Sequence, residues 1–219
     1  EQRGYPLSRL ENFDALSFNI EELSKDIEEL IIKLKLHQDL KIVGHDWGSI
    51  VAWAIISREK ININKLISVC GGTEFPTTAV YNNLTYKEKP HYISSFQNFK
   101  ESADIIDNNL ESFFRSAYRK NNQIVEGVDL SLDNVFINYS SETCVMNENE
   151  IVNLIQHFDE FSLDQAIAWY SNIDLNSELS SAWRKVVTTP VHFIFGEVDA
   201  AVKLNNKMRE RLMSSGSNV

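Results

Sequence analysis

The sequence of 219 residues is poor in the residues that punctuate a chain, with eight glycines, four prolines and two cysteines. Cys70 and Cys144 are too few for a disulfide framework and lack metal-ligand spacing, which is compatible with a reducing compartment such as the cytoplasm. Long apolar runs are missing too. The longest, Ile50 to Ile56, falls far short of the ~18 residues of a membrane span, and no leader segment is expected. Basic charge is the scarcer sign: 21 Lys and Arg stand against 31 Asp and Glu, for a net charge of −10. A phosphate backbone is held by clustered cations, so no nucleic-acid partner is expected.

What is present suits a globular protein. Hydrophobic residues make up 43% of the chain and aromatics 11%, enough for the core of one domain, or of one domain carrying a large insertion. With glycine well below its usual share of about 7%, each glycine marks a place worth reading. Gly44, Gly48, Gly71, Gly72 and Gly196 each follow a short apolar run. The runs Lys41-Ile42-Val43, Lys65 to Cys70 and Val191 to Phe195 have the β-branched and aromatic character of buried parallel strands.

Helical patterns lie between them. Ile20, Leu23, Ile27, Leu30, Ile31 and Leu34 recur at three- and four-residue steps, and Asn19 with Glu22 suggests a capping box, so a helix is expected over about 19–36. Residues 48–59 are apolar nearly all round, as a helix buried against a sheet is. The alternation predicts an α/β layered fold. Residues 74–183 change character: they are rich in Asn and Ser, carry aromatic helical patterns and show little strand signal. An inserted, mostly helical lid is expected there, with 1–73 and 184–219 forming the core.

The sharpest feature is Val43-Gly44-His45-Asp46-Trp47-Gly48, between an expected strand and an expected helix. It has the small-x-nucleophile-x-small pattern of a nucleophile elbow, with Asp where esterases place Ser. The plain alternative is that Asp46 only caps the following helix. Capping explains the Asp but not the paired glycines, the strand and the adjacent Trp together. A carboxylate is anionic at neutral pH and can displace a leaving group from saturated carbon without a base. The Trp47 backbone N–H would then hold the oxyanion as water hydrolyses the ester.

Arg3-Gly4-Tyr5 with Ser8, the elbow, and Ala52-Trp53 together resemble the epoxide hydrolase branch of the α/β-hydrolase superfamily, from Arg3 to about Glu210. That resemblance implies an α/β-hydrolase core with a helical cap. It also implies hydrolysis of a small apolar epoxide by water to a vicinal diol through an aspartyl ester, without metal or organic cofactor. Tyr92-Ile93-Ser94-Ser95-Phe96-Gln97 matches a lid segment of this family. Ala168-Trp169-Tyr170-Ser171 matches a second one less fully, lacking its Asn and Arg. Tyr92 and Tyr170 are therefore the candidate acids, donating to the epoxide oxygen as the ring opens, although any single tyrosine among seven is more often packing. Phe195-Gly196-Glu197-Val198-Asp199 resembles the turn whose Asp orients the catalytic histidine. Glu74 is an alternative because some dehalogenases place their acid there.

Trp47, His45, His91, Phe96 and Trp169 complete the expected oxyanion and substrate-binding set. The family's histidine should follow Asp199, and no His occurs after His192. With a loop-like opening at Glu1, this suggests an internal piece of a longer hydrolase that forms the ester but stalls at its hydrolysis. Two other readings stay open. The same elbow serves haloalkane and haloacetate dehalogenases, with Trp47 able to donate its indole N–H to a halide, and His91 standing where the latter place a lid His but followed by Tyr92 where they have Trp. A protein that kept the fold and lost the base would be a binding module. The oligomeric state leaves no mark in the sequence.

Overall fold

A computed structural model describes residues 1–36, 38–71, 78, 85–86, 89–119, 131–137, 144–183, 187–196 and 217–218. In chain order the elements are α1 (Ile20–Lys33), β1 (Lys41–His45), α2 (Trp47–Arg58), β2 (Lys65–Val69), a small hairpin of β3 (Thr85–Tyr86) and β4 (Lys89–Pro90), α3 (Tyr92–Phe96), α4 (Phe99–Asp107), α5 (Leu110–Ala117), α6 (Glu148–Phe158), α7 (Asp164–Ile167), α8 (Ile173–Ser181), β5 (Val191–Ile194) and β6 (Ser217–Asn218). They pack as two compact units, one of Asn19–Pro76 with Asp174–Val219 and one of Glu1–Phe18 with Thr77–Ile173.

The first unit is built on a parallel sheet in the order β1-β2-β5-β6. β1 and β2 run in register with Gly44 opposite Ser68, and β2 pairs in turn with β5. The three expected strands are here. The two-residue β6 was not anticipated, because so short a stretch carries no periodicity. α2 is buried from Val51 to Ile56, as its unbroken apolar sequence requires, and each large side chain so buried contributes about 1.5–3 kcal/mol. α1 turns Ile20, Leu23 and Ile31 inward. It begins at Asn19, whose side chain accepts the N–H groups of Glu21 and Glu22, and ends where Lys35 takes a φ of 54°.

A charged clamp joins α1 and α2. Arg58 on α2, almost fully buried, donates to Ser24 at 2.5 Å and lies 3.2 Å from the buried Glu28 carboxylate of α1. Burial pushes the Glu28 carboxyl above its ordinary range, and the Arg58 cation pulls against that shift.

The second unit is helical. Its core gathers Phe96, Ile106, Phe114, Ile151 and Ile167 from five helices. Asn147 starts α6 with a reciprocal capping box to Glu150. Arg115 forks onto the Glu148 carboxylate at 2.9 and 2.5 Å and also holds Glu111 at 2.8 Å. The β3–β4 hairpin adds two short strands to the mostly helical lid expected here, again too short to leave a pattern.

Residues 1–18 pack with these helices. The Gln165 amide exchanges two 2.9 Å hydrogen bonds with the backbone of Leu10, and Arg9 pairs with Asp164 at 2.8 Å. Asn172 donates to the Ala15 carbonyl at 2.5 Å. Gly4, at φ +92°, passes so close that a Cβ would lie 2.9 Å from the Gln165 carbonyl oxygen. Among the described residues no helix is long and apolar enough to cross a membrane.

Candidate functional site

In the sheet unit the chain leaves β1 at His45, turns through Asp46 and enters α2 at Trp47. Asp46 holds φ 52° and ψ −123°, a conformation L-residues rarely adopt. Three backbone bonds fix it there. Its N–H donates to the Val69 carbonyl at 3.0 Å, while its own carbonyl accepts from Ser49 at 2.9 Å and Ile50 at 3.1 Å. The side chain turns back on its neighbour, and Oδ2 accepts the Trp47 backbone N–H at 2.6 Å. His45 and Asp46 are exposed, and Trp47 is half-buried.

The glycines explain themselves in this geometry. A Cβ on Gly44 would lie 2.5 Å from the Gly48 carbonyl oxygen and 2.6 Å from the Ser49 Cα, both backbone atoms that cannot step aside. The bare backbone of Gly44 lets α2 start directly against β1. Gly71, just beyond β2, is equally confined: a Cβ there would meet Ser49 Cβ at 2.3 Å and the Asp46 carbonyl oxygen at 2.7 Å.

Beneath the turn lies a fully buried polar network that sequence reasoning missed. The Trp53 indole N–H donates to Ser68 Oγ at 2.9 Å, and Ser68 donates to the Gly71 carbonyl at 2.7 Å. The Ser49 and Ser68 hydroxyls lie 2.6 Å apart, and Ser49 also reaches the Gly71 carbonyl at 3.2 Å, so the two serines share that acceptor. A signal was present, since Ser49 and Trp53 stand one helical turn apart on one face of α2. Cys70, at φ 53°, forms the second tight turn at this end of the sheet.

In the helical unit Tyr92 and Tyr170 come together. Their ring centroids are 6.4 Å apart, edge to face. Phe96 packs against both, at 5.5 Å from Tyr92 and 4.9 Å from Tyr170, and Phe136 closes the cluster. His91 stacks on Tyr92 at 4.7 Å, and its Nδ1 accepts the Ile93 N–H at the start of α3. Burial holds the His91 imidazole below its ordinary pKa, favouring the neutral ring. Trp169 takes other partners. It is buried, packs edge-on with Tyr5 at 6.2 Å and donates its indole N–H to the Arg3 carbonyl at 3.0 Å. A cavity of about 340 Å³ among Ser94, Asn98, Ile105, Leu132 and Asp133 includes none of the expected site residues.

Asp199 and the alternative acid Glu74 lie outside the described residues. Among those described, no three His, Cys, Asp or Glu side chains gather so as to hold a metal ion.

Comparison with known proteins follows the same lines. The alpha/beta hydrolase fold family matches residues 2–210. An alpha/beta hydrolase superfamily protein of Bacillus subtilis, YfhM, is 33% identical over 96 residues, which is 43% of this chain and 31% of that protein. Epoxide hydrolase 1 of Caenorhabditis elegans is 32% identical over 104 residues, 46% of this chain and 24% of that one. The aligned stretches thus span less than a third of either curated relative. Among solved structures, an epoxide hydrolase from an endophytic Streptomyces superposes on 99% of this chain and 70% of its own length, with a TM-score of 0.80 at 18% identity. A strand, a strained aspartate and a buried helix in this order, within a match of nearly the whole sequence, place the chain in the α/β-hydrolase fold family, with epoxide hydrolases among its relatives and structural neighbours.

Proposed function

We propose that this chain carries the ester-forming chemistry of an epoxide hydrolase, with Asp46 as nucleophile. The observation that carries the proposal is the Asp46 turn itself, whose Oδ2 is already held by the Trp47 N–H at 2.6 Å. With Oδ2 on the Trp47 N–H, Oδ1 is the oxygen assigned to attack a ring carbon. Attack forms the C–O bond of an ester, breaks the ring C–O bond and leaves an alkoxide, which takes a proton from Tyr92 or Tyr170. Oδ2 becomes the ester carbonyl oxygen, and the Trp47 N–H that held the carboxylate then stabilises the tetrahedral oxyanion as water attacks. Water releases the diol and restores the carboxylate.

In this reading the expected division into a core of 1–73 and 184–219 and a lid of 74–183 holds with the change that residues 1–18 pack with the lid, and Asp199 orients the histidine base of the second step. Phe96 and Trp169 support the segments that carry the tyrosines, Phe96 by ring contact with both and Trp169 as the neighbour of Tyr170. The substrate class is a small apolar epoxide, favoured over an organohalide because the ring-opened oxygen needs an O–H donor and a departing halide does not. No metal or organic cofactor enters the scheme.

The test is covalent labelling of the full polypeptide by a small aryl epoxide, read by intact mass. The wild-type protein gains one epoxide mass on the peptide containing Asp46. Asp46→Asn, which removes the anionic nucleophile, loses labelling by at least about a thousandfold while keeping its fold. Labelling that survives in the variant removes Asp46 from the role. Labelling by a haloacetate in place of the epoxide moves the substrate class to organohalides.

A further inference from the structure

One residue of the lid motif has no part in this chemistry, and its contacts are specific. Gln97 follows α3 and is half-buried. Its side-chain nitrogen donates to the Ile93 carbonyl at 3.0 Å and to the Tyr170 carbonyl at 2.7 Å. Both acceptors are carbonyl oxygens, so only the NH₂ end of the amide can face them and both of its protons are engaged.

Each acceptor matters. Ile93 is the residue after Tyr92, and at the end of α3 the Gln97 backbone N–H turns to Ser94 instead. The side chain thus supplies the partner that the Ile93 carbonyl would have found in a longer helix. The other acceptor is the backbone of Tyr170, 73 positions along the chain. One amide therefore joins the two segments that bring Tyr92 and Tyr170 together.

The aromatic cluster around them does not fix that geometry by itself. Ring contacts among Tyr92, Phe96, Phe136 and Tyr170 are favourable over a range of offsets, because dispersion is weakly directional. Two hydrogen bonds from one planar group admit far fewer arrangements. We propose that Gln97 is the positioning residue of the tyrosine pair, setting the spacing of the two phenols so that both donate to the oxygen of the opening ring. The proposal rests on the assignment of the tyrosines as acids.

The test is a double-mutant cycle in the full polypeptide, with styrene oxide as probe and ester formation measured separately from ester hydrolysis by rapid quench. Gln97→Met keeps the length of the side chain and removes both donors. It slows ester formation about tenfold and leaves hydrolysis of the preformed ester within twofold. In a Tyr92→Phe/Tyr170→Phe background the same substitution has no further effect, because the groups it positions are gone. A role in stability alone would lower both steps, or slow ester formation equally in both backgrounds, and either result overturns the proposal. An unchanged rate in Gln97→Met, with the tyrosine variant slowed, overturns it too. Tyrosine variants that form the ester at the wild-type rate remove the acid assignment itself, a separate failure. Should Gln97→Met not fold, Gln97→Asn, whose amide is one methylene too short to bridge both carbonyls, is read through the same cycle with the same outcomes.

Discussion

Two helices of the sheet unit start on a short polar side chain, and the two starts differ in every other respect. Asn19 sits at φ −70° and ψ 161° and accepts the N–H groups two and three residues ahead. Those are the donors a helix leaves unpaired, and the backbone reaches them without strain. Asp46 sits at φ 52° and ψ −123° and accepts the N–H of the very next residue. A conformation of that kind costs on the order of 1–3 kcal/mol, and it persists because Val69, Ser49 and Ile50 hold the backbone in place. Asn19 lowers the free energy of its helix. Asp46 raises that of its turn and holds its carboxylate at the start of α2, with Oδ2 on the Trp47 N–H.

The comparison breaks first on activity, through the Asp46→Asn labelling described above. The largest effect on stability is expected at Gly44. Gly44→Ala puts a methyl group 2.5 Å from the Gly48 carbonyl oxygen, and neither backbone segment can yield without opening the junction of β1 and α2. The expected loss is roughly 3 kcal/mol or more, a size that needs a named steric or burial cause such as this one. Urea titration of the full polypeptide checks it, and a loss under about 1 kcal/mol would mean that the turn is looser than its distances indicate.

Asn19→Ala sharpens the other side of the comparison. Two helix N–H groups lose their acceptor, and stability falls by about 1 kcal/mol. Ester formation by Asp46 stays at the wild-type rate. A change in that rate would show that the two helix starts are not independent, and the contrast drawn between a cap and a nucleophile would fail.

Much of this was readable along the chain. The sheet follows from three β-branched runs, the helices from apolar steps of three and four, and the elbow from two glycines bracketing an aspartate. Each signal is local, and each element formed where its pattern stood. What stayed hidden depends on pairs far apart in sequence. Nothing near Leu10 announces that Gln165 will satisfy its backbone, so residues 1–18 read as part of the core portion and instead pack with the helical unit. Trp169 lies next to Tyr170 in sequence, but it donates to the Arg3 carbonyl and packs on Tyr5. The Gln97 bridge and the Trp53–Ser68–Ser49 network are invisible for the same reason, since hydrogen-bond partners leave no periodicity. β3, β4 and β6, at two residues each, are shorter than any pattern that could reveal them.

A third helix start lies between the two extremes. His91 caps α3 in an ordinary extended conformation, like Asn19, but with a titratable acceptor. Its Nδ1 takes the Ile93 N–H only while the lone pair is free, so protonation there removes the cap. Burial lowers the pKa of this ring below the ordinary 6.5, so the unfolded chain binds the proton more readily than the folded one. The contribution of His91 is then fully present above about pH 6.5 and is lost as pH falls through the lower folded value. His91→Asn replaces it with a cap of similar strength that does not titrate. Asparagine forfeits the stacking on Tyr92 at every pH, so the expected signal is the difference: relative to the wild-type protein the variant should gain up to about 1 kcal/mol between about pH 8 and about pH 5. Urea titrations of the full polypeptide at the two pH values supply the comparison. The same stability difference at both would show that the Nδ1 bond does not govern the start of α3, and Tyr92 would then owe its place to the aromatic cluster and Gln97 alone.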